Sequence, residues 1–454
     1  MQIGYGDGGG DLEMFASEIG HSLAEVSGEN SRSEQHLEID KLQFNLGDLP
    51  DSLLVEILVR LPVKSVFRFK CVSKHWCSLI RDRWFARIYV SRKLSSSDLS
   101  PFRILYRYIY VSVFEQVLER LNPDAYKSKN SSVLFLSSFE EQQQADQFKV
   151  LAASNGLLLC CLLGPLMYYV CDPVTKQWVA LPKPRSVIMS RHPIFFGEGL
   201  VTLLNEENVV TSYRVVRVEW LSVLSDHLNF ETYSSETGEW KELRLSCPSP
   251  VRLLKRGSPF LFNGAMHWYT DENGLVAFDP YKNVKECRLI KLPGEVSLES
   301  KCKEDGIYRL CGECQGQLRY FEVAPDRKES FCFSMWVITD YDRQEWELKH
   351  RVKRSEIWSD DPHISSYLGR VSFVPLTYDR LNSDLVYLRC VERSCIVAYN
   401  IGTKQLEVSC HPIGIVEDLS WRVVIPFVLP IWPAPVPRSP RRGTKRSRIM
   451  VTIE

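Results

Sequence analysis

Cysteine is the residue type in this sequence with the widest chemistry, because thiolates bind metal ions and exchange disulfides. The chain has 14 cysteines among 454 residues, and they are scattered. Cys311 and Cys314, with Cys302 nearby, have the spacing of half a structural zinc site. A four-coordinate zinc site needs a second pair at a matching distance, and none is evident. No secretory signal is evident either, so we predict buried thiols in a reducing compartment, with no metal and no cofactor.

The nucleophilic and phosphate-binding residues form no recognisable catalytic motif. The sequence has no P-loop, no nucleophile elbow around a serine and no paired-histidine zinc-protease helix. The glycines at 8–10 do not lie between a strand and a helix, as a dinucleotide-binding fingerprint requires. We therefore predict that the protein is not an enzyme.

Aromatic side chains could stack on a ligand. Trp178, Trp240 and Trp346 each follow a polar turn at a similar position of an apolar repeat. Their recurrence at one position favours packing between repeated units over ligand binding. The run HWY at 267–269 lies in a strand-like segment, which is more typical of a core than of a site.

Residues 46–91 have the pattern of a compact module of three short helices. The apolar stripe of the first helix is Leu54, Ile57, Leu58 and Leu61. Pro50 suits the first turn of this helix, and Pro62 ends it. The stripe of the second helix is Val63, Val66, Phe67 and Cys71. Ser73 is a natural N-cap for the third helix. The apolar residues of that helix are Trp76, Leu79, Ile80, Trp84 and Ile88. Three stripes in so few residues make a small, incomplete core, which favours docking against a partner.

This module resembles the F-box family. The resemblance rests on Leu49, Pro50, Glu56, Ile57, Leu58, Leu61, Pro62, Arg68, Cys71, Val72, Ser73, Lys74, Trp76, Leu79 and Ile80. It implies binding to the Skp adaptor of an SCF-type cullin-RING ubiquitin ligase, and through the adaptor to a cullin. The adaptor-binding residues that it implies are Leu49, Pro50, Leu54, Ile57, Leu58, Leu61, Pro62, Val66, Phe67, Cys71, Val72 and Trp76. Many members have a proline near the end of the third helix, where this chain reads RDRW at 81–84, so we expect a longer third helix.

Two other interpretations of the module stay open. Basic residues on its second and third helices are typical of a DNA-binding helix-turn-helix. They are Lys64, Arg68, Lys70, Lys74, Arg81 and Arg83. A recognition helix needs polar side chains that reach base edges, whereas Trp76, Leu79 and Ile80 make the third helix apolar. We therefore predict that nucleic acid is not a partner. The other interpretation is a helical bundle with no partner.

Beyond residue 101 the apolar period changes from that of helices to that of strands. Five segments repeat one pattern, an apolar strand, a polar turn and a second strand that often carries tryptophan. They begin at Tyr168, Phe230, Gly274, Met335 and Cys395. Their turns begin at Asp172, at Thr237-Gly238, at Asp279, at Asp340 and at Asn400. Repeats of about 40 to 50 residues with apolar hairpins are typical of β-propellers. A short helix is expected before them, at Phe114, Val117, Leu118 and Leu121.

The repeat region resembles the F-box-associated domains of plant F-box proteins. The resemblance rests on the runs SNGLL at 154–158, CDP at 171–173 and LP at 181–182, and on Trp178. The region is also similar to kelch propellers, but the double glycine of a kelch blade is missing, so the number of blades stays open. The predicted fold is α+β and multidomain, with a small three-helix F-box followed by a mostly antiparallel, all-β, propeller-like domain.

Composition divides the chain into five predicted segments. They are a disordered acidic tail at 1–45, the F-box at 46–91, a linker at 92–101, the propeller-like domain at 102–432 and a Pro-rich and basic tail at 433–454. Basic and acidic residues balance at 56 each, so no net charge attracts an anionic membrane. Glycine and proline interrupt the apolar run at 157–170, and prolines interrupt the run at 423–437. Neither run predicts a membrane helix.

The functional prediction joins the two resemblances. We expect a substrate-recognition subunit of an SCF-type ubiquitin ligase, whose β domain captures an unknown protein for ubiquitination. The basic tail fits either a nuclear import signal or a solvated terminus, so the expected location is the nucleus or the cytoplasm. The alternatives are an F-box protein acting outside the ligase, a propeller that binds a glycan or a small molecule, and a nucleic-acid binder acting through the basic tail.

Overall fold

The protein is described from a computed structural model, in which contacts divide the chain into two units, Met1–Leu99 and Ser100–Glu454. The structure describes residues 50–95, 102–108, 116–119, 148–162, 166–173, 177–184, 197–206, 208–221, 223–254, 258–271, 274–293, 308–326, 330–366, 368, 372–393, 395–410, 422–428, 432 and 436–439. The predicted acidic tail at 1–45 lies outside these residues, as do Leu49 and Cys302.

Helices alone make up the regular structure of the described part of the first unit. They are α1 (Asp51–Leu58), α2 (Val63–Phe69), α3 (Lys74–Arg81) and α4 (Arg83–Ser95). Pro50 and Pro62 immediately precede α1 and α2, where a missing N–H costs no hydrogen bond. The hydroxyl of Ser73 accepts a hydrogen bond of 3.1 Å from the Trp76 N–H, which confirms the predicted N-cap.

The predicted long third helix is wrong in one respect. The helix ends at Arg81, and Asp82 takes an extended conformation with φ −65° and ψ 135°. Its carboxylate accepts a hydrogen bond of 2.8 Å from the N–H of Trp84, so a new helix begins here. Trp84 and Ile88 therefore belong to α4, which continues to Ser95 through the first residues of the predicted linker.

A small apolar core holds the four helices together. Leu54, Val66, Trp76 and Phe85 contribute one buried side chain from each helix. The hydroxyl of Tyr89 on α4 donates a hydrogen bond of 2.9 Å to the backbone carbonyl of Leu61, which follows α1. Burial raises the pKa of this tyrosine. The core thus fixes α1 against α4, with their other faces left outside.

Five antiparallel sheets of four strands form the blades of the second unit, each with its strands in chain order. Blade 1 comprises β3 (Phe148–Ser154), β4 (Leu157–Leu162), β5 (Met167–Asp172) and β6 (Gln177–Ala180). Blade 2 comprises β7 (Gly199–Leu204), β8 (Val210–Val218), β9 (Ser225–Ser234) and β10 (Glu239–Val251). Blade 3 comprises β11 (Phe260–Phe262), β12 (Ala265–Tyr269), β13 (Gly274–Phe278) and β14 (Arg288–Lys291). Blade 4 comprises β15 (Tyr308–Cys314), β16 (Gln317–Asp326), β17 (Ser330–Asp340) and β18 (Glu345–Lys353). Blade 5 comprises β19 (Phe373–Tyr378), β20 (Leu385–Cys390), β21 (Cys395–Asn400) and β22 (Gln405–Cys410). The predicted propeller is confirmed, and its five repeats are the third and fourth strands of the five blades.

A closing sheet joins the two ends of the propeller. Its described strands are β1 (Phe102–Tyr108), β2 (Gln116–Glu119) and β23 (Arg422–Val428), in the order β2-β1-β23. The pairing of β1 with β23 runs from Phe102 opposite Val428 to Tyr108 opposite Arg422. The strand β23 contacts the first strands of blades 5 and 1, β19 and β3, so the inner strands complete a ring.

The short helix predicted before the repeats is a strand instead. Val117 and Leu118 lie on β2, opposite Leu105 and Ile104 of β1. Pairing along the free edge of β1 satisfies the backbone of this segment and overrides its helical spacing. Phe114 and Leu121 lie outside the described residues.

The repeated tryptophans pack between blades, as predicted. The indole N–H of Trp240 in blade 2 donates a hydrogen bond of 2.7 Å to the carbonyl of Pro182, which follows blade 1. Trp346 in blade 4 donates at 2.9 Å to the carbonyl of Lys291 in blade 3. Trp178 packs against the cluster that joins blade 1 to β23. Trp240 and Trp346 thus use both their apolar area and their single donor at a blade boundary.

The predicted turn chemistry is also present. The side-chain oxygen of Asp279 accepts a hydrogen bond from the N–H of Tyr281 at 2.9 Å. That of Asp340 accepts hydrogen bonds from the N–H groups of Asp342 and Arg343. Asn400 accepts from the N–H of Thr403 at 3.0 Å. The turn of blade 2 uses Gly238 at φ 73°, a conformation that suits a residue without Cβ.

A charged pair lies inside blade 2. Arg217 on β8 and Glu231 on β9 are opposite each other, and their side chains form an ion pair of 2.6 Å. Both side chains are fully buried. The guanidinium also lies 5.3 Å from the ring centre of Tyr168 in blade 1, so the pair links two blades.

The Pro-rich tail is partly packed on the propeller. Val436 is buried in the apolar cluster of blades 1 and 2, together with Tyr233 and Trp240. The predicted boundary at residue 432 therefore falls before the last residue of the core.

Ring closure generates the first prediction. Phe427 on β23 is buried in the cluster that joins the closing sheet to blade 1. Replacing Phe427 by Ala should cost about 3–5 kcal/mol of unfolding free energy, since it leaves a cavity at the closing seam. Replacing the exposed Leu348 by Ala should change it by no more than about 0.5 kcal/mol. Denaturant unfolding followed by tryptophan fluorescence would measure both, and equal small shifts would contradict the closing role.

A buried histidine generates the second prediction. His267 in blade 3 is fully buried, and its ring nitrogens lie 3.0 Å from the carbonyl of Ala265 and 2.8 Å from the hydroxyl of Tyr341. Since a carbonyl can only accept, Nδ1 carries the proton and Nε2 accepts from the tyrosine. This arrangement needs a neutral ring, and burial lowers the pKa of His267 to about 4. The predicted core role of the run at 267–269 is thereby confirmed.

The folded state resists protonation of His267, whereas the unfolded chain takes up the proton near the usual histidine pKa. Stability from this residue is therefore complete above about pH 6.5 and is lost as the pH falls towards 4. The loss should be on the order of 2–3 kcal/mol over that window. His267→Gln should flatten this part of the stability profile. Parallel profiles for the wild type and His267→Gln would contradict the assignment.

Candidate functional site

Five of the twelve predicted adaptor-binding residues lie inside the helical module. They are Leu54, Leu58, Leu61, Val66 and Trp76, with at most 5% of each side chain exposed. The rings of Trp76 and Phe69 pack with their centres 5.2 Å apart. These five residues hold the module in shape and position the residues around them. Their direct contact with a partner stays a prediction.

Six of the remaining seven lie at or near the surface. Pro50, Pro62, Cys71 and Val72 are exposed, and Ile57 and Phe67 are half-buried. Leu49 lies outside the described residues. The Nζ of Lys70 lies 3.5 Å from the ring centre of Phe67, so a cation covers part of that ring. Burial against its surroundings lowers the pKa of this lysine.

Helix α1 has a second apolar stripe that faces outward. Leu53 is 51% exposed, whereas its neighbour Leu54 is fully buried. Pro50, Leu53 and Ile57 follow each other at helical spacing, so they share one side of α1. An apolar stripe on the outer side of a helix contributes nothing to the module's own core.

A contact between α1 and α3 brings this stripe to the same end of the module as the turn after α2. Nε2 of His75 and Oδ1 of Asp51 lie 2.7 Å apart. Asp51 adjoins the stripe, and His75 follows Val72, which is 59% exposed. We call Pro50, Leu53, Ile57, Cys71 and Val72 the apolar face of the module.

Charged side chains lie beside the apolar face. Glu56 on α1 pairs with Arg60, one turn along, and with Arg92 on α4 at 2.9 Å. The hydrogen bond from Arg60 lowers the pKa of this carboxyl. The carboxylate of Glu56 is thus shared by two guanidinium groups, so the three side chains together carry one net positive charge beside the apolar face.

Two exposed apolar residues of the module were missed by the sequence analysis as candidate contacts. Leu53 and Trp84 are each about half exposed, at 51% and 55%. The signal for Leu53 was its position one turn before Ile57 and off the stripe of Leu54, Leu58 and Leu61. Trp84 was assigned to the apolar side of a third helix that ends before it.

The cysteines considered for zinc do not converge. Cys311 and Cys314 are three positions apart on β15, so they face opposite sides of the sheet. Cys311 packs in the cluster shared by blades 3 and 4, and Cys314 packs in the cluster shared by blades 4 and 5. Burial raises the pKa of both thiols. Among the described residues, no group of three or more His, Cys, Asp or Glu side chains could hold a metal ion.

The propeller has apolar side chains at one end of its strands. Leu203, Leu204 and Val209, at the hairpin between β7 and β8, are each 36–41% exposed. Leu381, at the hairpin between β19 and β20, is 45% exposed. The strands alternate in direction, so the first hairpins of all blades lie at the same end of the propeller. We call these four residues the hairpin face.

The described helices include none that is long and apolar enough to span a membrane. Two family models match the chain. One, the F-box domain, matches residues 46–87, and the other, described as "F-box protein At3g26010-like, beta-propeller", matches residues 117–418. Each match lies within one of the two units of the structure.

The relatives are F-box proteins of Arabidopsis thaliana. The chain is 27% identical to F-box protein At1g49990, over 85% of this chain and 97% of that protein. It is 30% identical to the putative F-box protein At5g62660, over 67% of this chain and 77% of that one. The putative F-box/kelch-repeat protein At4g22430 is 26% identical, over 82% of each chain. Among solved structures, YCF48 bound to D1 peptide matches 58% of this chain and 66% of that chain, with 10% identity and a TM-score of 0.31, which is too low to support an argument.

An F-box followed by a propeller is the architecture of substrate-receptor F-box proteins, which are generally non-catalytic adaptors. The F-box implies binding to a Skp-type adaptor. The propeller model covers well over half of the chain, and the F-box model covers the helices before it. The chain belongs to the family of plant F-box proteins that carry a β-propeller of the At3g26010-like type.

Proposed function

We propose that this protein is the substrate-recognition subunit of an SCF-type cullin-RING ubiquitin ligase. Its F-box binds the Skp adaptor, and its propeller captures a target protein for ubiquitination. The observation that carries the proposal is the outward apolar stripe of α1 in a module that matches the F-box family. Such a stripe costs solubility unless a partner covers it.

The apolar face supplies the contact with the adaptor in this proposal. Leu53 and Val72 are more than half exposed. A partner that covers them removes their apolar area from water, which stabilises the complex by about 25 cal/mol for each Å² buried. The module beneath them is fixed by Leu54, Trp76 and Tyr89, so little ordering accompanies binding. The buried members of the predicted set act by holding this surface in place.

The receptor contributes position to the reaction. A substrate held on the propeller is confined near the catalytic arm of the ligase, and its lysines reach an effective concentration in the mM range. No catalytic group of the receptor is needed, since orientation alone accelerates a step between two bound partners.

The hairpin face is the surface that we assign to substrate. Its leucines and valine are exposed although most apolar residues of the propeller are buried. They lie at hairpins, which vary in length between blades, on a scaffold fixed by the blade interfaces. Loops on a rigid scaffold are the usual position of recognition residues.

The adaptor contact generates the third prediction. Leu53→Glu combined with Val72→Glu should weaken binding of the purified full-length chain to a Skp adaptor at least about tenfold, because the interface would bury two charges. Leu348→Glu, which changes an exposed leucine of the propeller, should bind like the wild type. Titration by isothermal calorimetry would measure the three affinities. Since both residues are exposed, thermal unfolding should stay unchanged, whereas Leu54→Ala would unfold the module.

Wild-type affinity in the double variant would overturn the assigned contact. Normal adaptor binding together with no cullin in affinity captures would point instead to an F-box protein acting outside the ligase.

Substrate capture generates the fourth prediction. Affinity capture with the wild-type chain and with cullin activity blocked should recover a set of proteins. The double variant Leu203→Glu, Leu204→Glu should fail to recover this set. Val223→Glu is the matched control, since Val223 is 65% exposed in the same blade at the opposite end of its strands. The set should persist in the adaptor-binding variant of the third prediction. If Val223→Glu loses the captured set and the double variant Leu203→Glu, Leu204→Glu retains it, the substrate binds at the other end of the propeller.

A further inference from the structure

Residues 436–439, which we call the C-terminal latch, lie against blade 2. Val436 is only 4% exposed, and it packs in a cluster that includes Tyr233 and Trp240. The arginine that follows two positions later, Arg438, is exposed. The latch therefore has one apolar anchor and a charged side that faces solvent.

Ser439 is the second anchor of the latch. Its hydroxyl lies beside the phenol of Tyr233 on β9. A Cβ placed on Gly238 would lie 3.0 Å from the Cβ and 3.1 Å from the Oγ of Ser439. The half-buried serine thus packs closely on the bare backbone of the β9–β10 turn.

The sequence around Ser439 is that of a kinase substrate. Ser439 is followed by Pro440, and then by Arg441 and Arg442. Proline-directed serine kinases require this proline and favour basic residues after it. Ser249-Pro250 has an arginine at a similar distance, but Ser249 lies within strand β10. Ser439 lies in irregular chain, which can adopt the extended conformation that a kinase needs once it leaves the propeller.

We propose that Ser439 is a phosphorylation site for a proline-directed serine kinase, and that its phosphorylation releases the latch. In the transfer step the serine oxygen attacks the γ-phosphorus of ATP. An Oγ–P bond forms, the bond from that phosphorus to the β–γ bridging oxygen breaks, and ADP and the hydroxyl proton leave.

The docked position of Ser439 disfavours a phosphate. A phosphoserine carries about −1.5 to −2 charges and three oxygen acceptors. In the docked position these atoms would lie beside Gly238 and the phenol of Tyr233, where the serine already packs closely. Glu236 and Glu239 flank this glycine. The added bulk and the negative charge beside two carboxylates both oppose docking.

Docking and phosphorylation are consequently linked. The kinase acts on the open latch, and the phosphate then prevents the latch from closing. Since the kinase acts only on the open latch, a change that weakens the docked state should speed phosphorylation. Release uncovers the surface beside Tyr233 and Trp240.

The test measures the exposure of residue 436 in the full-length chain. Val436→Cys places a thiol of similar size at the buried anchor, and its alkylation by N-ethylmaleimide can be followed by mass spectrometry of that peptide. Treatment with a proline-directed serine kinase and ATP should place phosphate on Ser439 and raise the alkylation rate at least about tenfold, as a shift from a mostly closed to a mostly open state requires. Ser439→Ala and Pro440→Ala, in the same background, should abolish the effect.

A second measurement separates the linkage from simple accessibility. Tyr233→Phe removes the hydroxyl beside Ser439 without altering the peptide that the kinase reads, and by weakening the docked state it should raise the phosphorylation rate several-fold. Phosphate on Ser249 but not on Ser439 would overturn the proposal. So would an unchanged alkylation rate after phosphorylation of Ser439, or slower alkylation, which would mean that the phosphate strengthens the docked state.

Discussion

The pairing of the first and last strands of the propeller is the interaction on which the remaining blades depend. Strand β1 is hydrogen-bonded to β23 over seven consecutive residue pairs, although the two lie at opposite ends of the domain sequence. Without that sheet, blade 1 and blade 5 would each expose an apolar face, since Ile425 and Phe427 cover one and Val424 covers the other. Once the ring closes, each blade has a neighbour on both faces, and only the outer strand of each blade is left as a short edge.

Closure explains why so many apolar residues of the domain can lie at the boundaries between blades. Large buried side chains such as Trp240, Trp268 and Tyr399 lie in clusters shared by adjacent blades. The indole N–H groups of Trp240 and Trp268 donate to backbone carbonyls outside their own blades, at Pro182 and Gly197. The indole nitrogens of these two tryptophans are satisfied by the neighbouring segment, so blade packing there has a preferred register as well as a buried area.

The features that could be predicted from the sequence depend on contacts between residues close in the chain, and those that were missed depend on partners far away in the chain. The turn at Asp340 and the cap at Ser73 use bonds to residues close in sequence, and both were predicted. Strand β2 was predicted as a helix, since its partner β1 is the cause of its extended form. The burial of Arg217 with Glu231 could not be predicted, because neither charge differs locally from a surface residue. Leu53 was missed as a contact for a related reason. The sequence pattern predicts which leucines of α1 form the buried stripe, but it gives no partner for Leu53, which is exposed.

The two leucines at 53–54 show how folding and binding are separated within one helix. Leu54 is fully buried, so its replacement removes core volume and unfolds the module before any contact can be tested. Leu53, one position away, points about 100° around the helix and is half exposed, so its replacement leaves the core intact. Both residues are leucine, so residue type alone does not distinguish these roles. The same reasoning applies to the latch, where Val436 is buried while Arg438 faces solvent. Residues that a partner or a kinase can use are those that the fold holds in place without covering them.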